Sequence, residues 1–225
     1  MKRTYLLLIV LLLAGCGGGS TSGGSISVCG DPAVNVTYDV VFNAVWSAAT
    51  HPMEFPANPH FSPVIGATHN DRYQMFQIGG TATQGIENMS ELGATNTLAA
   101  EIGGAAPNTN LILPGMGLPL SPGSISFSFS TTVNHPLVSI VTMIAPSPDW
   151  FVGVNALNLC PGGRWANSLT VDLHPYDAGT DSGVTYNSPD ADITPQLPIR
   201  QITGAPFLNG STVASMGSFT LMRRP

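Results

Sequence analysis

Val36-Thr37-Tyr38-Asp39-Val40-Val41-Phe42-Asn43-Ala44-Val45-Trp46 alternates its apolar side chains with a period of two. In an extended chain successive side chains point to opposite faces. Val36, Tyr38, Val40, Phe42, Ala44 and Trp46 therefore share one face, with Thr37, Asp39 and Asn43 on the other. That pattern predicts a half-buried β-strand. The same alternation returns in Ile125, Phe127 and Phe129 between serines, and in Leu169, Val171 and Leu173 between polar residues. Residues 73–78, 137–145 and 151–159 are further strand candidates, richer in apolar residues and so expected to be more deeply buried. Residues 219–222 read as a closing strand, followed by Arg223 and Arg224.

Proline and glycine turns separate these segments, and one region departs from the period. In residues 83–102, Ile86, Met89 and Leu92, then Leu98 and Ile102, approximate helical spacing, and Gly93 is placed to end the first piece. One or two short helices are expected there, with Glu87, Glu91 and Glu101 forming a solvated face or a partner surface. Many short, punctuated strands without repeated strand–helix alternation predict a mostly β fold: an antiparallel β-sandwich with a short helical insertion. Residues 103–123, rich in Gly, Pro, Asn and Leu, read as a loop whose apolar stretches 111–113 and 116–120 are expected to pack.

Ahead of this domain, Lys2 and Arg3 precede the apolar residues 6–13 and then Ala14-Gly15-Cys16. A basic start, an apolar run too short to span a bilayer, and small residues before a cysteine predict a lipoprotein signal peptide over residues 1–15. Cys16 would be acylated after cleavage, and residues 16–27, nearly all Gly, Ser and Thr, would form a flexible tether of roughly 18 Å. The folded domain is expected over residues 28–225. Cleavage would leave five arginines against 13 acidic residues, a net charge of -8, which disfavours nucleic acid and acidic lipid head groups as partners. The expected location is the exterior of the cell, lipid-anchored to the envelope at the outer membrane or cell surface, with the anchor as the only membrane contact.

With Cys16 taken by lipid, Cys29 and Cys160 are the remaining cysteines. In an exported protein such a pair is most simply a disulfide. Neither has a nearby cysteine or histidine at zinc-ligand spacing. Charged residues make up only 9% of the chain, yet Asp149 in Pro146-Ser-Pro-Asp149-Trp150, and Asp177 and Asp181 in Tyr176-Asp177-Ala-Gly-Thr-Asp181-Ser-Gly183, stand together in turn-forming sequence. Carboxylates gathered at loop tips repel one another, and a hard cation such as calcium, which takes six to eight oxygens, relieves that repulsion. Turn chemistry is the competing reading of each aspartate. For Asp172, on an outward strand face, and for Asp190 and Asp192, in a polar loop, solvation suffices. His51, His60 and His69 lack a carboxylate partner at ligand spacing and read as structural hydrogen-bonding groups. Trp46, Trp150 and Trp165 read as packing aromatics, with Trp150 placed to brace the Asp149 turn.

Several runs in order carry a wider likeness. They are Val45-Trp46-Ser47, Thr50-His51-Pro52, Phe61-Ser-Pro-Val-Ile-Gly-Ala-Thr-His69, His135-Pro-Leu-Val-Ser139, Met143-Ile-Ala-Pro-Ser-Pro-Asp-Trp-Phe-Val-Gly153, Leu157-Asn-Leu-Cys160 and Asp172-Leu-His-Pro-Tyr-Asp-Ala-Gly-Thr-Asp-Ser-Gly183. In these the chain resembles the spondin N-terminal domain family, the domain of F-spondin and mindin, as a bacterial lipoprotein member. The resemblance implies a β-sandwich similar to C2 domains, with calcium held at one end. It carries the family's calcium-binding aspartates onto Asp149, Asp177 and Asp181, and marks His51 and His69 as scaffold. In the animal family these domains act in extracellular matrix and cell-surface recognition, including integrin and microbial glycolipid binding.

The expected function is a calcium-binding, extracytoplasmic adhesion or recognition lipoprotein with a protein or glycan ligand at the cell surface. An architectural envelope component with structural calcium is the alternative. A calcium-assisted hydrolase is a weaker one, because the chain has no Gly-x-Ser-x-Gly elbow, no HExxH run and no phosphate-cradling glycine loop. No enzymatic activity is expected.

Overall fold

A computed structural model describes residues 29–30, 34–112 and 115–225. The expected signal peptide, Cys16 and the expected tether lie outside the described residues.

The elements run β1 (Val36–Ala44), β2 (His60–Phe61), β3 (Ile65–His69), α1 (Gln84–Leu92), α2 (Asn96–Gly104), β4 (Thr109–Ile112), β5 (Gly123–Thr131), β6 (Leu137–Ala145) and β7 (Trp150–Asn158). After a short 3-10 turn follow β8 (Ser168–Leu173), β9 (Tyr176–Asp177), β10 (Arg200–Gln201), β11 (Leu208–Asn209), β12 (Thr212–Val213) and β13 (Gly217–Arg223). Every strand pair is antiparallel. The smaller of the two main sheets has the order β5-β1-β13-β8, and the larger β10-β9-β7-β6-β3-β4, with β2 also paired to β6.

The two sheets enclose one core, in the sandwich arrangement the alternation predicts. Tyr38, Val40, Phe42 and Ala44 from β1 and Phe219 and Leu221 from β13 meet Val138, Ile140 and Ile144 from β6 and Val152 and Val154 from β7. Phe42 makes an edge contact with Phe61, ring centroids 5.0 Å apart. The disulfide Cys29–Cys160 forms as expected and ties the residues just before β1 to the end of β7.

A second core lies on the far face of the larger sheet. Val141, Met143 and Ala145 of β6 pack with Ile86 and Met89 of α1 and Leu98 and Ile102 of α2. β6 is thus buried on both faces, which is why its sequence is an almost continuous apolar run. In β7 one extra residue shifts the register against β6, pairing Val138 with Leu157 but Ile140 with Val154. The extra backbone N–H, that of Ala156, donates to the Ser139 hydroxyl at 2.9 Å.

The helices sit where the spacing predicts. Thr83 caps α1, its hydroxyl accepting from the Ile86 N–H at 3.2 Å. Gly93 ends it in the left-handed region, φ 65°, with the Gly93 and Ala94 N–H groups donating to the Met89 and Asn88 carbonyls. Leu92, however, is 73% exposed. Two successive steps of three residues rotate it about 120° away from Ile86, off the buried stripe.

Two other expectations fail. Residues 73–78 form no strand: Met75 and Phe76 are consecutive and both buried, so the run covers the larger sheet without extending it, with the Phe76 ring on Phe151 and Tyr176. A short apolar run does not by itself separate strand from covering segment. The predicted loop 103–123 contains the end of α2 and the edge strand β4, which pairs with β3. Leu118 is buried and exchanges two backbone hydrogen bonds with Phe61, whereas Met116 and Leu120 are exposed.

Candidate metal centre

The β6–β7 turn places Asp149 at one end of the sandwich. The Ser147 hydroxyl accepts from the Trp150 N–H at 3.1 Å and fixes the turn, while the Trp150 ring packs on Tyr186 and Phe207, centroids 5.4 and 5.0 Å away. Asp149 is fully buried, at 0% exposure. Its Oδ2 accepts from the Thr180 N–H at 2.8 Å, the Asp181 N–H at 3.2 Å and the Thr180 hydroxyl at 3.3 Å. Its Oδ1 is buried and has no hydrogen-bond partner among the described residues.

Asp177 closes β9, opposite Trp150 of β7 and Arg200 of β10. Its Oδ1 accepts from the Gly179 N–H at 2.8 Å and its Oδ2 from Arg200 Nη2 at 2.5 Å. Gly179 has φ 77°, and a Cβ there would collide with the Leu197 carbonyl oxygen, so only glycine lets the loop curl here. Asp181 accepts from the Gly183 N–H at 2.5 Å and the Ala191 N–H at 2.6 Å. Backbone bonds from Ile193 to Thr180 and from Leu197 to Gly179 clamp this loop against residues 190–197.

The three predicted aspartates therefore lie on two loops laced together at Thr180 and Asp181. All three are buried. The electrostatics carry the strain of that gathering. Burial, and next the charge of Asp177, push Asp149 up to about 6; the Thr180 and Asp181 N–H groups pull the other way, and the Asp181 charge adds to the rise.

Two further elements contribute carboxylates that local sequence did not flag. Glu91 on α1 is not solvated as expected: its Oε1 is buried without a partner. Burial pushes it up to about 7, against a pull from a hydrogen bond with Thr180, with the charges of Glu87, Asp192 and Asp149 adding to the rise. Glu87 and Glu101 are also engaged. Glu87 accepts from Gln196 Nε2, and Glu101 accepts from the Thr83 hydroxyl and the Gly85 N–H, tying α2 to the start of α1. Asp190 and Asp192 are exposed, but they are not isolated, since carboxylate oxygens of Asp181, Asp190 and Asp192 lie within 4.8 Å of one another. Asp172 is exposed, as expected. The signal available for Glu91 was its like-charged neighbour Glu87 four residues before it, a pairing that weakens a helix.

The donor set is all oxygen, the choice of a hard cation, and among the described residues no histidine or cysteine joins the cluster. His51 and His69 are scaffold groups. His51 is buried and donates from Nε2 to the Ala214 carbonyl at 3.2 Å. His69 is buried and bridges the Asn70 carbonyl and the Ser139 hydroxyl, both at 2.8 Å.

A protein-family model described as Spondin_N matches residues 36–212, a span that holds the whole carboxylate cluster. The chain is 35% identical over 188 residues to Spondin-2 of Homo sapiens, an alignment covering 81% of this chain and 56% of that protein. It is 35% identical over 196 residues to Spondin-2 of Rattus norvegicus, covering 83% and 59%. With Spondin-1 of Gallus gallus it shares 37% identity over 174 residues, covering 74% of this chain and 22% of that protein. The chain thus spans little more than half of one kind of relative and about a fifth of the other.

Proposed function

The chain belongs to the spondin N-terminal domain family, and from that premise we propose that it is a calcium-binding recognition module acting outside the cytoplasm. The observation that carries the calcium reading is Asp149, whose fully buried carboxylate has one oxygen with no partner while Asp177 and Asp181 press their charges upon it. A buried ionised oxygen without a hydrogen bond is unfavourable unless a cation fills the space before it.

In this reading Asp149, Asp177 and Asp181 hold the ion, which when bound supplies positive charge and nothing else. The chain does the rest. The Thr180 and Asp181 N–H groups orient Asp149, the Gly179 N–H and Arg200 orient Asp177, and the Gly183 and Ala191 N–H groups orient Asp181. With the ion in place the loops at this end form a rigid surface suited to a protein or glycan ligand. Lipid on Cys16, left at the N-terminus once the leader read in residues 1–15 is cleaved, would hold that surface at the cell envelope, and the Cys29–Cys160 disulfide suits an exported protein.

Calorimetric unfolding of the full chain with calcium and with chelator tests the ion. Linkage gives about 2.7 kcal/mol of stabilisation at one hundred times the dissociation constant, and no stabilisation together with no binding heat would end the calcium reading. The clamp between residues 177–183 and 190–197 favours a second reading, in which calcium only stiffens an envelope component. Affinity capture from envelope fractions separates the two: a specific partner retained with calcium and released by chelator supports recognition, and none supports architecture.

A further inference from the structure

We infer that Glu91 of α1 is a fourth carboxylate ligand of this calcium site, so that the ion joins the helix pair to the loops at the end of the sandwich. The inference rests on the calcium reading and goes beyond the two loops that hold the three aspartates.

Three observations carry it. First, Asp149 and Glu91 each have a buried carboxylate oxygen without a hydrogen-bond partner, and both side chains lie against Thr180. Asp149 is fully buried, with nothing among the described residues to satisfy its Oδ1. Second, the fold delivers Glu91 to that place. α1 packs on β6 and β7, and its end is drawn in so closely that a Cβ on Gly93 would stand 2.8 Å from the Ser62 side chain and 3.8 Å from the Met143 sulfur. Met143 lies two residues before the end of β6, the strand that leads into the Asp149 turn.

Third, Glu91 stands where stability alone argues against a carboxylate. It occupies the last turn of α1, at the negative end of the helix dipole, four residues after Glu87, with one oxygen removed from water. The other two helix carboxylates have evident structural partners, Gln196 for Glu87 and the start of α1 for Glu101. For Glu91 a cation shared with Asp149 answers all three penalties at once.

The test is calcium titration calorimetry of the full chain, paired with hydrogen exchange of the amides of residues 84–92, using calcium chloride alone as the probe. In the parent, calcium binds and slows exchange in α1. Glu91→Gln is expected to lower affinity at least tenfold and to abolish the calcium-induced slowing, whereas Asp172→Asn, a charge removed from the outer sheet face, changes affinity less than twofold. Glu91→Asp keeps the charge but withdraws it by one methylene, and direct ligation requires that it too lose affinity at least tenfold; it also carries the test should Glu91→Gln fold poorly. Glu91→Asp or Glu91→Gln binding calcium within twofold of the parent overturns the inference and leaves the three-aspartate site standing. A parent that binds no calcium overturns the site itself.

Discussion

The core between the two sheets and the carboxylate end of the same sandwich are built on opposite rules. Between the sheets, Tyr38, Val40, Phe42, Phe219 and Leu221 are at 0% exposure, and the one phenol among them is satisfied, Tyr38 donating to the Ala166 carbonyl at 2.8 Å. A few residues beyond β6, Asp149 is equally buried but charged, with an oxygen left unpartnered. Depth of burial is the same and its effect is reversed. In the first region removal from water stabilises the fold; in the second it is a penalty that persists unless something outside the chain offsets it. The first region stabilises the fold and the second subtracts from it.

The largest expected effect separates the regions by what they ignore. Phe42→Ala removes a ring enclosed by Phe61 and Phe219, and truncations of this kind cost about 3–5 kcal/mol. Denaturant unfolding is expected to show that loss in full with calcium and with chelator alike. A loss that shrinks when calcium is added would mean that the two regions are not independent.

The contrast also governs how much of each region is legible in the sequence. The alternation of β1 needs only a period of two and one buried face, and the strands at β5, β6, β7, β8 and β13 follow from similarly local patterns, as do the Thr83 and Gly93 helix ends. The segment at 73–78 misleads because burial against a sheet face and burial within a strand leave the same short apolar run. At the site, Asp149, Asp177 and Asp181 are legible because each sits in distinctive turn sequence. Glu91 and Asp192 are not, since what makes them part of the cluster is tertiary placement: α1 docking on β6 and β7, and the bridge between Asp181 and Asp192.

Asp149→Asn sharpens the comparison through a change of sign. Because burial raises the Asp149 pKa in the fold to about 6, above that pH the fold carries its carboxylate ionised at a cost the unfolded chain does not bear, and a neutral amide of the same shape relieves the penalty. At pH 8 in chelator the variant is expected to be more stable than the parent by up to about 2 kcal/mol; in saturating calcium it is expected to be the less stable of the two. Identical ranking under both conditions would count against the ion.

Acidity pulls the regions in opposite directions by a smaller amount. Glu91 and Asp149 take up protons more readily folded than unfolded, so in chelator acidification from pH 8 through about 7 and about 6 stabilises the fold. His51 and His69 do the reverse. Burial holds both below the ordinary 6.5, so the unfolded chain binds protons first, and stability falls as pH drops below 6.5 toward their folded values. Thermal midpoints in chelator from pH 8 to 5 are expected to have a shallower rising limb in Asp149→Asn, where Glu91 alone still contributes, and a shallower falling limb in His51→Gln.

The smallest effect comes from two Asp–Arg pairs that look alike on distance and differ in setting. Arg224 meets Asp39 at 2.6 Å and Arg200 meets Asp177 at 2.5 Å, but the Asp39 side chain is 45% exposed and that of Asp177 only 10%. The first pair sits on the outer sheet face, where water screens both charges and the loss of one leaves nothing stranded. Asp39→Asn is therefore expected to leave the unfolding midpoint and the calcium affinity within experimental scatter. The second pair stands at the carboxylate end, where Arg200 is the cation that already partly balances the cluster. Arg200→Gln is expected to lower the midpoint in chelator, by removing that balance, yet to have little effect once calcium is bound. An Arg200→Gln midpoint shifted equally in both conditions would place Asp177 with the ordinary surface pairs, outside the cation's reach.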